Sequence, residues 1–238
     1  MFVPVHDINP LKRIHFQWGT VGLIAINVLC FLLFGTAFFT PADEYAIDFA
    51  LIPQELVLGG GVPSGEVFRT QAPLQMPEWV TLFSYMFVHV NFLHLAGNMA
   101  FLWVFGDNVE DAMGRARFIL FYVMCGVMAA IAHVALIPDS ETPVIGASGA
   151  VAGIIAAYLM LHPNVKLWVL ALYRIPLRVT AAWAIGFWVA VQVYYALFNE
   201  GDVVAWWAHL AGFVTGALLV LVLRRPGVPL FDRTVSKA

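Results

Sequence analysis

Charge is scarce in this chain of 238 residues: 11% of them are Asp, Glu, Lys or Arg, against 61% that are hydrophobic. Twelve basic and fifteen acidic side chains are too few to build a water-facing surface of this size. There is no basic run and no net positive charge to neutralise phosphates, which argues against a nucleic-acid partner. Cysteine is almost missing. Cys30 and Cys125 both lie in apolar stretches and read as two small buried residues rather than a disulfide. Repeats, low-complexity segments and a second domain are absent from view, so residues 1–238 read as one domain.

What the chain has in abundance is apolar runs of about 20 residues, the length that crosses a bilayer. Six are read, over 17–39, 87–106, 116–137, 148–162, 180–198 and 205–223. The expectation is an all-α, polytopic membrane protein. Lys12 and Arg13 precede the first run, but Phe38 and Phe39 near its exit fit a retained span better than a cleaved signal peptide. The interval 40–86 mixes Pro, Gly and apolar residues (Phe49, Leu51, Ile52, Leu56, Val57, Leu58), as an ordered external loop resting partly on the membrane interface would.

With the N-terminus cytoplasmic, inside segments hold Lys12, Arg13, Arg115, Arg117, Lys166, Arg174, Arg178, Arg224, Arg225, Arg233 and Lys237, leaving only Arg69 outside. Acidic residues gather outside, at Asp43, Glu44, Asp48, Glu55, Glu66, Glu78, Asp139, Glu141, Glu200 and Asp202. This bias predicts both termini cytoplasmic, 1–16 and 224–238 being the tails. With no targeting sequence or eukaryotic-looking tail in view, a bacterial-type inner membrane is the expected location.

Polar groups inside spans are costly unless used. The second span opens with His89-Val-Asn91-Phe-Leu-His94-Leu-Ala-Gly-Asn98, the fourth with Gly146-Ala147-Ser148-Gly149, and the sixth carries Ala208-His209-Leu-Ala-Gly212. All three spans enter from outside. His94 is expected about 7 residues deep, roughly 10 Å, and His209 about 4 residues deep, roughly 6 Å. From Ser148 to Pro163 the chain can build a helix of only about 22 Å, short of the roughly 30 Å hydrocarbon core. Ser148 is therefore expected below the outer surface, at the floor of a wet cavity, with Pro138–Ala147 dipping in beside it.

A serine hydroxyl needs a base to become a nucleophile, and His209 and His94 are both candidates. Acyl transfer also needs donors for the developing oxyanion. His94 and Asn98, four apart, share a helix face, and the backbone N–H groups of Ser148 and Gly149 open a helix. Taken singly, Ser148 could be an N-cap and each histidine an interhelical structural bond. Two small-residue stripes, Gly149-Gly153-Ala157 and Ala208-Gly212-Gly216, would let the fourth and sixth spans approach closely and bring Ser148 to His209.

In order and spacing these residues resemble the rhomboid family of intramembrane serine proteases. Gly146-Ala147-Ser148-Gly149 is similar to the family's GxSG motif, Ala208-His209-Leu-Ala-Gly212 to its base motif, and His89-x4-His94-x3-Asn98 to its second-span motif, with Glu110 and Gly114 following. The resemblance covers 17–223 and implies a six-helix rhomboid-like bundle with a long external first loop. It implies Ser148 as nucleophile, His209 as general base in a dyad, and Asn98, His94 and the Ser148 amide as oxyanion hole. His89, Gly146, Gly149 and Gly212 are implied in support. With no Asp or Glu in spans two, four or six as read, His209 is expected to be held by packing.

Two positions depart from the family pattern. Thr81 stands where many members have an arginine that orders the first loop, with Trp79 one position earlier than the usual tryptophan. Ala152 replaces an aromatic on which the histidine stacks in some members. The resulting expectation is an endopeptidase acting on transmembrane protein substrates, with the membrane lipid as surroundings and no obligate protein partner. No cofactor is implied, and no metal site either: the histidines lack a third ligand, and His133 and His162 fall near opposite ends of their spans. The alternative is a non-proteolytic rhomboid-like protein that binds or chaperones membrane segments. A proton-relaying transporter would require midplane carboxylates or paired half-helices, which the sequence does not offer.

Overall fold

Glycine, proline and side-chain caps set the limits of the helices. The computed structural model describes residues 2–34, 48–58, 77–171, 174–198 and 204–232. The end of the first expected span (35–39), much of the expected first loop, and residues 199–203 and 233–238 lie outside the described residues. In chain order the elements are β1 (Phe2–Asp7), α1 (Trp18–Phe34), α2 (Pro53–Leu58), α3 (Glu78–Ser84) with a 3-10 turn (Tyr85–Phe87), α4 (Phe92–Met113), α5 (Arg115–Leu136), α6 (Ser148–Leu161), β2 (Lys166–Ala171), β3 (Ile175–Thr180), α7 (Ala181–Phe198) and α8 (Trp206–Leu223).

The protein is mostly helical. Among the described residues, α5, α7 and α8 are long and apolar enough to cross a membrane, and α3 with α4 makes a fourth candidate bent by 79°. That bend corrects the second expected span. Its helix starts at Phe92, where the Asn91 side chain accepts the His94 N–H at 2.9 Å, and runs on to Met113, well past residue 106. His94 therefore sits in a first turn, not several residues down a continuous helix.

The far end of α4 anchors the N-terminal segment. Glu110, 1% exposed, accepts from Gly19 N–H (2.9 Å), Thr20 N–H (2.8 Å) and the Thr20 hydroxyl (3.0 Å), capping the free amides that open α1. Asp111 accepts from the backbone amides of Lys12, Arg13 and Ile14. Gly114, at φ 84, turns the chain directly into α5.

A three-stranded antiparallel sheet, order β1-β2-β3, was not foreseen by an all-α reading. It joins the end of α6 to the start of α7, opposite the Ser148 end of the bundle. Asp7 of β1 is tied to α6 by the Tyr158 hydroxyl, which donates to its carboxylate at 2.6 Å.

Helix α6 is buried on nearly every side, from Gly149 through Tyr158, as expected of a helix apolar all round. It packs most closely against α8, whose buried residues are Ala208, Gly212, Gly216 and Val220, one every turn. There is no room for side chains between the two helices. A Cβ on Gly212 would lie 2.0 Å from the Gly149 carbonyl oxygen, and one on Gly216 would lie 2.2 Å from that of Gly153. The two stripes thus meet backbone to backbone, as the sequence led us to expect. Both cysteines are free, with the Cys125 sulfur filling the space above Gly153.

Candidate active site

The segment leading into α6 is irregular, and its last residues, Val144, Gly146 and Ala147, are buried. Val144 exchanges backbone hydrogen bonds with Leu51 (2.8 and 3.0 Å), and Gly146 N–H donates to the Tyr85 carbonyl at 2.9 Å. Tyr85 is itself pinned by its hydroxyl, which donates to the Gly126 carbonyl at 2.8 Å. These bonds satisfy non-helical backbone groups that would be costly if buried without partners. Gly146 has φ 114, and a Cβ there would come within 2.7 Å of the His94 ring, so only glycine fits.

Ser148 is the first residue of α6, where the opening amides have no intrahelical acceptor. Its hydroxyl lies 2.7 Å from Nε2 of His209 on α8. The close approach of α6 and α8 across Gly149 and Gly212 makes this reach possible. Of the two candidate bases, His209 is the one in contact.

The remaining expected residues gather around Gly146. His94 lies against Gly146 and meets the His89 ring edge-on at 5.1 Å between centroids. Asn98 reaches the same glycine through its amide nitrogen, which is buried and has no hydrogen-bond partner. An unused buried donor is costly unless something arrives to accept from it. His89, 2% exposed, receives the Ala147 N–H on Nε2 at 3.5 Å, one residue before the serine.

The expectation that packing alone holds His209 needs correction. Nδ1 of His209 is 2.7 Å from Oε1 of Gln192 on α7. The missing aromatic at Ala152 is replaced from elsewhere: Trp188 of α7 lies 6.2 Å from the His209 ring centroid, and Trp206 of α8 meets it edge-on at 6.1 Å. Gln192, which carries no charge, is absent from the residues expected at the site, although a lone amide in an otherwise apolar span is a usable signal. Thr81, fully buried, bonds its own helix through Glu78 O at 2.6 Å, and Ser84 instead reaches the first-loop segment at Phe49 O (2.9 Å). Among the described residues no group of three or more His, Cys, Asp or Glu is arranged to hold a metal ion.

A serine touching a histidine beside an unused amide donor is an arrangement suited to acyl transfer, set in a membrane-type helical bundle. A family model described as "Rhomboid domain" matches residues 76–226, and the chain belongs to the rhomboid family. Its apolar helices and this family together make it a membrane protein. Among its relatives, Rhomboid-like protein 11, chloroplastic, of Arabidopsis thaliana is 29% identical over 169 residues, 68% of this chain and 59% of that protein. Rhomboid protease GluP of Bacillus subtilis is 29% identical over 161 residues, 68% of this chain and 29% of that protein. Rhomboid protein 1, mitochondrial, of Saccharomyces cerevisiae is 27% identical over 228 residues, 84% and 62% respectively. The chain thus spans less than two thirds of the length of each of these relatives.

Proposed function

We infer that this chain is an intramembrane serine endopeptidase that hydrolyses peptide bonds of transmembrane protein substrates through a Ser148–His209 dyad. The observation that carries the reading is the 2.7 Å contact between Ser148 Oγ and His209 Nε2, beside the unpartnered Asn98 amide. In the reaction, Nε2 takes the Oγ proton as the oxygen attacks the scissile carbonyl carbon. Asn98, His94 and the Ser148 N–H donate to the oxyanion. The imidazolium then protonates the leaving amine, and an acyl-enzyme remains. Water, deprotonated by His209, attacks that ester; the acyl C–O bond breaks, the imidazolium returns its proton to Ser148 Oγ, and the carboxylic acid product leaves. Every proton moved is carried by the dyad, so the scheme calls on no cofactor.

The topology that goes with this reading has six spans in one domain covering 1–238. Helices α1 and α6, about 26 and 21 Å long, complete the count with the bent α3–α4 pair, α5, α7 and α8. Both termini are cytoplasmic, the first loop is external, and the site opens to the outer side of a bacterial-type inner membrane. The basic residues at the sheet end fit that orientation. Substrate helices would be cut where they unwind near a small residue, because the scissile amide must leave its helical hydrogen bond. The test is cleavage of a panel of type I membrane segments by the purified full chain in liposomes, beside Ser148→Ala. Cleavage by the parent alone is expected, and equal cleavage by both would refute the reading.

A further inference from the structure

The histidine that faces Ser148 has a second partner to which the dyad assigns no task. Gln192 is 4% exposed, although its neighbour Val193 is 39% exposed and Phe187 is 58% exposed. The inward face of α7 runs Ala181, Ala184, Ile185, Trp188 and Gln192, a helical stripe whose last two members both meet His209. An amide buried in a membrane helix is costly unless its bonds are made, and this one spends its carbonyl on the histidine.

Resting on the protease reading, we propose that Gln192 is a positioning residue that holds His209 in the tautomer the reaction needs. The amide oxygen can only accept, so the ring proton must lie on Nδ1. Nε2 is then unprotonated and faces the Ser148 hydroxyl as an acceptor. The reversed amide would offer N–H to Nδ1, drive the ring proton onto Nε2, and leave nothing to take the serine proton. Gln192 thus fills the orienting place that a carboxylate fills in a triad, without a buried charge. Trp188, one turn earlier on α7, limits rotation of the ring. The dyad then becomes a relay across three helices, α6, α8 and α7.

Two variants separate this role from packing. Gln192→Met keeps the side-chain length and loses the acceptor, whereas Gln192→Glu keeps an acceptor oxygen in place. Selective 15N-histidine labelling, assigned against His209→Ala, reads the tautomer in the full chain in detergent without requiring turnover. A fluorophosphonate labelling rate and the kcat and KM for a cleaved segment read the consequence. The parent is expected to carry the proton on Nδ1. Gln192→Met should show mixed tautomers, with kcat and labelling rate about 10-fold lower and KM unchanged, the loss of about one hydrogen bond. Gln192→Glu should restore the Nδ1–H signal and most of the rate.

A parent with its proton on Nε2, or a folded Gln192→Met matching the parent in tautomer and rate, would reduce Gln192 to a packing amide. Were Gln192→Met not to fold, a folded Gln192→Glu without the Nδ1–H signal would overturn the proposal equally. A parent with Nδ1–H that neither labels nor cleaves would refute the protease reading while upholding the Gln192–His209 contact.

Discussion

Replacing Gly212 by alanine adds one methyl group at the point where α6 and α8 touch. Its Cβ would lie 2.0 Å from the Gly149 carbonyl oxygen, 2.9 Å from its carbon and 3.3 Å from its Cα, all backbone atoms that no rotamer change can move. An ordinary C···O contact is about 3.3 Å, so the helices must separate locally by roughly 1 Å. Ser148 immediately precedes Gly149, and His209 lies one turn before Gly212. The same separation would stretch their 2.7 Å contact beyond hydrogen-bond length. Overpacking of this kind costs about 1–3 kcal/mol in stability, and a displacement of about 1 Å in a reacting pair can cost about 100-fold in rate. Gly212→Ala should therefore lower the thermal midpoint modestly and the fluorophosphonate labelling rate about 100-fold. Gly97→Ala is the control: a Cβ there meets nothing within 4 Å although Gly97 adjoins Asn98, so labelling should be unchanged. Parent-like labelling and melting of Gly212→Ala would refute the claim that backbone contact between α6 and α8 sets the dyad geometry.

Asn98→Ala should fold normally and slow cleavage about 10²- to 10³-fold, the usual worth of one oxyanion donor; an unimpaired variant would make Asn98 a helix-packing residue. Gly216→Ala, one turn deeper at the same helix contact, should lose less activity than Gly212→Ala while melting lower than the parent, checked by paired labelling and thermal scans. At the sheet end, burial pushes the Asp7 carboxyl from its ordinary 3.8 up to about 7, against the Tyr158 hydrogen bond that favours the anion. The folded protein thus holds this proton more tightly than the unfolded chain, so the Asp7 contribution to stability is full below about pH 4 and lost as pH rises through about 7. Asp7→Asn, which keeps an acceptor for Tyr158, should remove that part of the slope in thermal midpoints measured from about pH 4 to pH 8.

Apolar runs between polar breaks located the helices α5, α6, α7 and α8 to within one residue at each end, because uninterrupted runs bounded by Gly, Pro and charge leave little choice of limits. The contact of Ser148 with His209 was legible for a related reason: small residues at i and i+4 announce close helices, and each stripe adjoins one of the two residues in register. The second span was misjudged because hydropathy does not register direction. Residues 78–87 and 92–113 are both helical, yet they meet at 79°. The sheet was hidden in the N-terminal tail and a basic inner loop, since β1 gains its partner only when β2 is brought alongside it from more than 150 residues away. Gln192 carries no charge to mark it among ionisable groups; its lone amide in an apolar span was the local signal, but that it meets His209 depends on where α7 packs.

Whether Ser148 is a nucleophile activated by His209 is read most simply by covalent labelling of the purified chain with a serine-directed fluorophosphonate. Reading the adduct by intact mass and peptide mapping identifies the modified side chain whatever the natural substrate is. A single adduct on Ser148 is expected in the parent, none in Ser148→Ala, and labelling close to background in His209→Ala. Labelling that persists in Ser148→Ala, or that proceeds at the parent rate in His209→Ala, would contradict it.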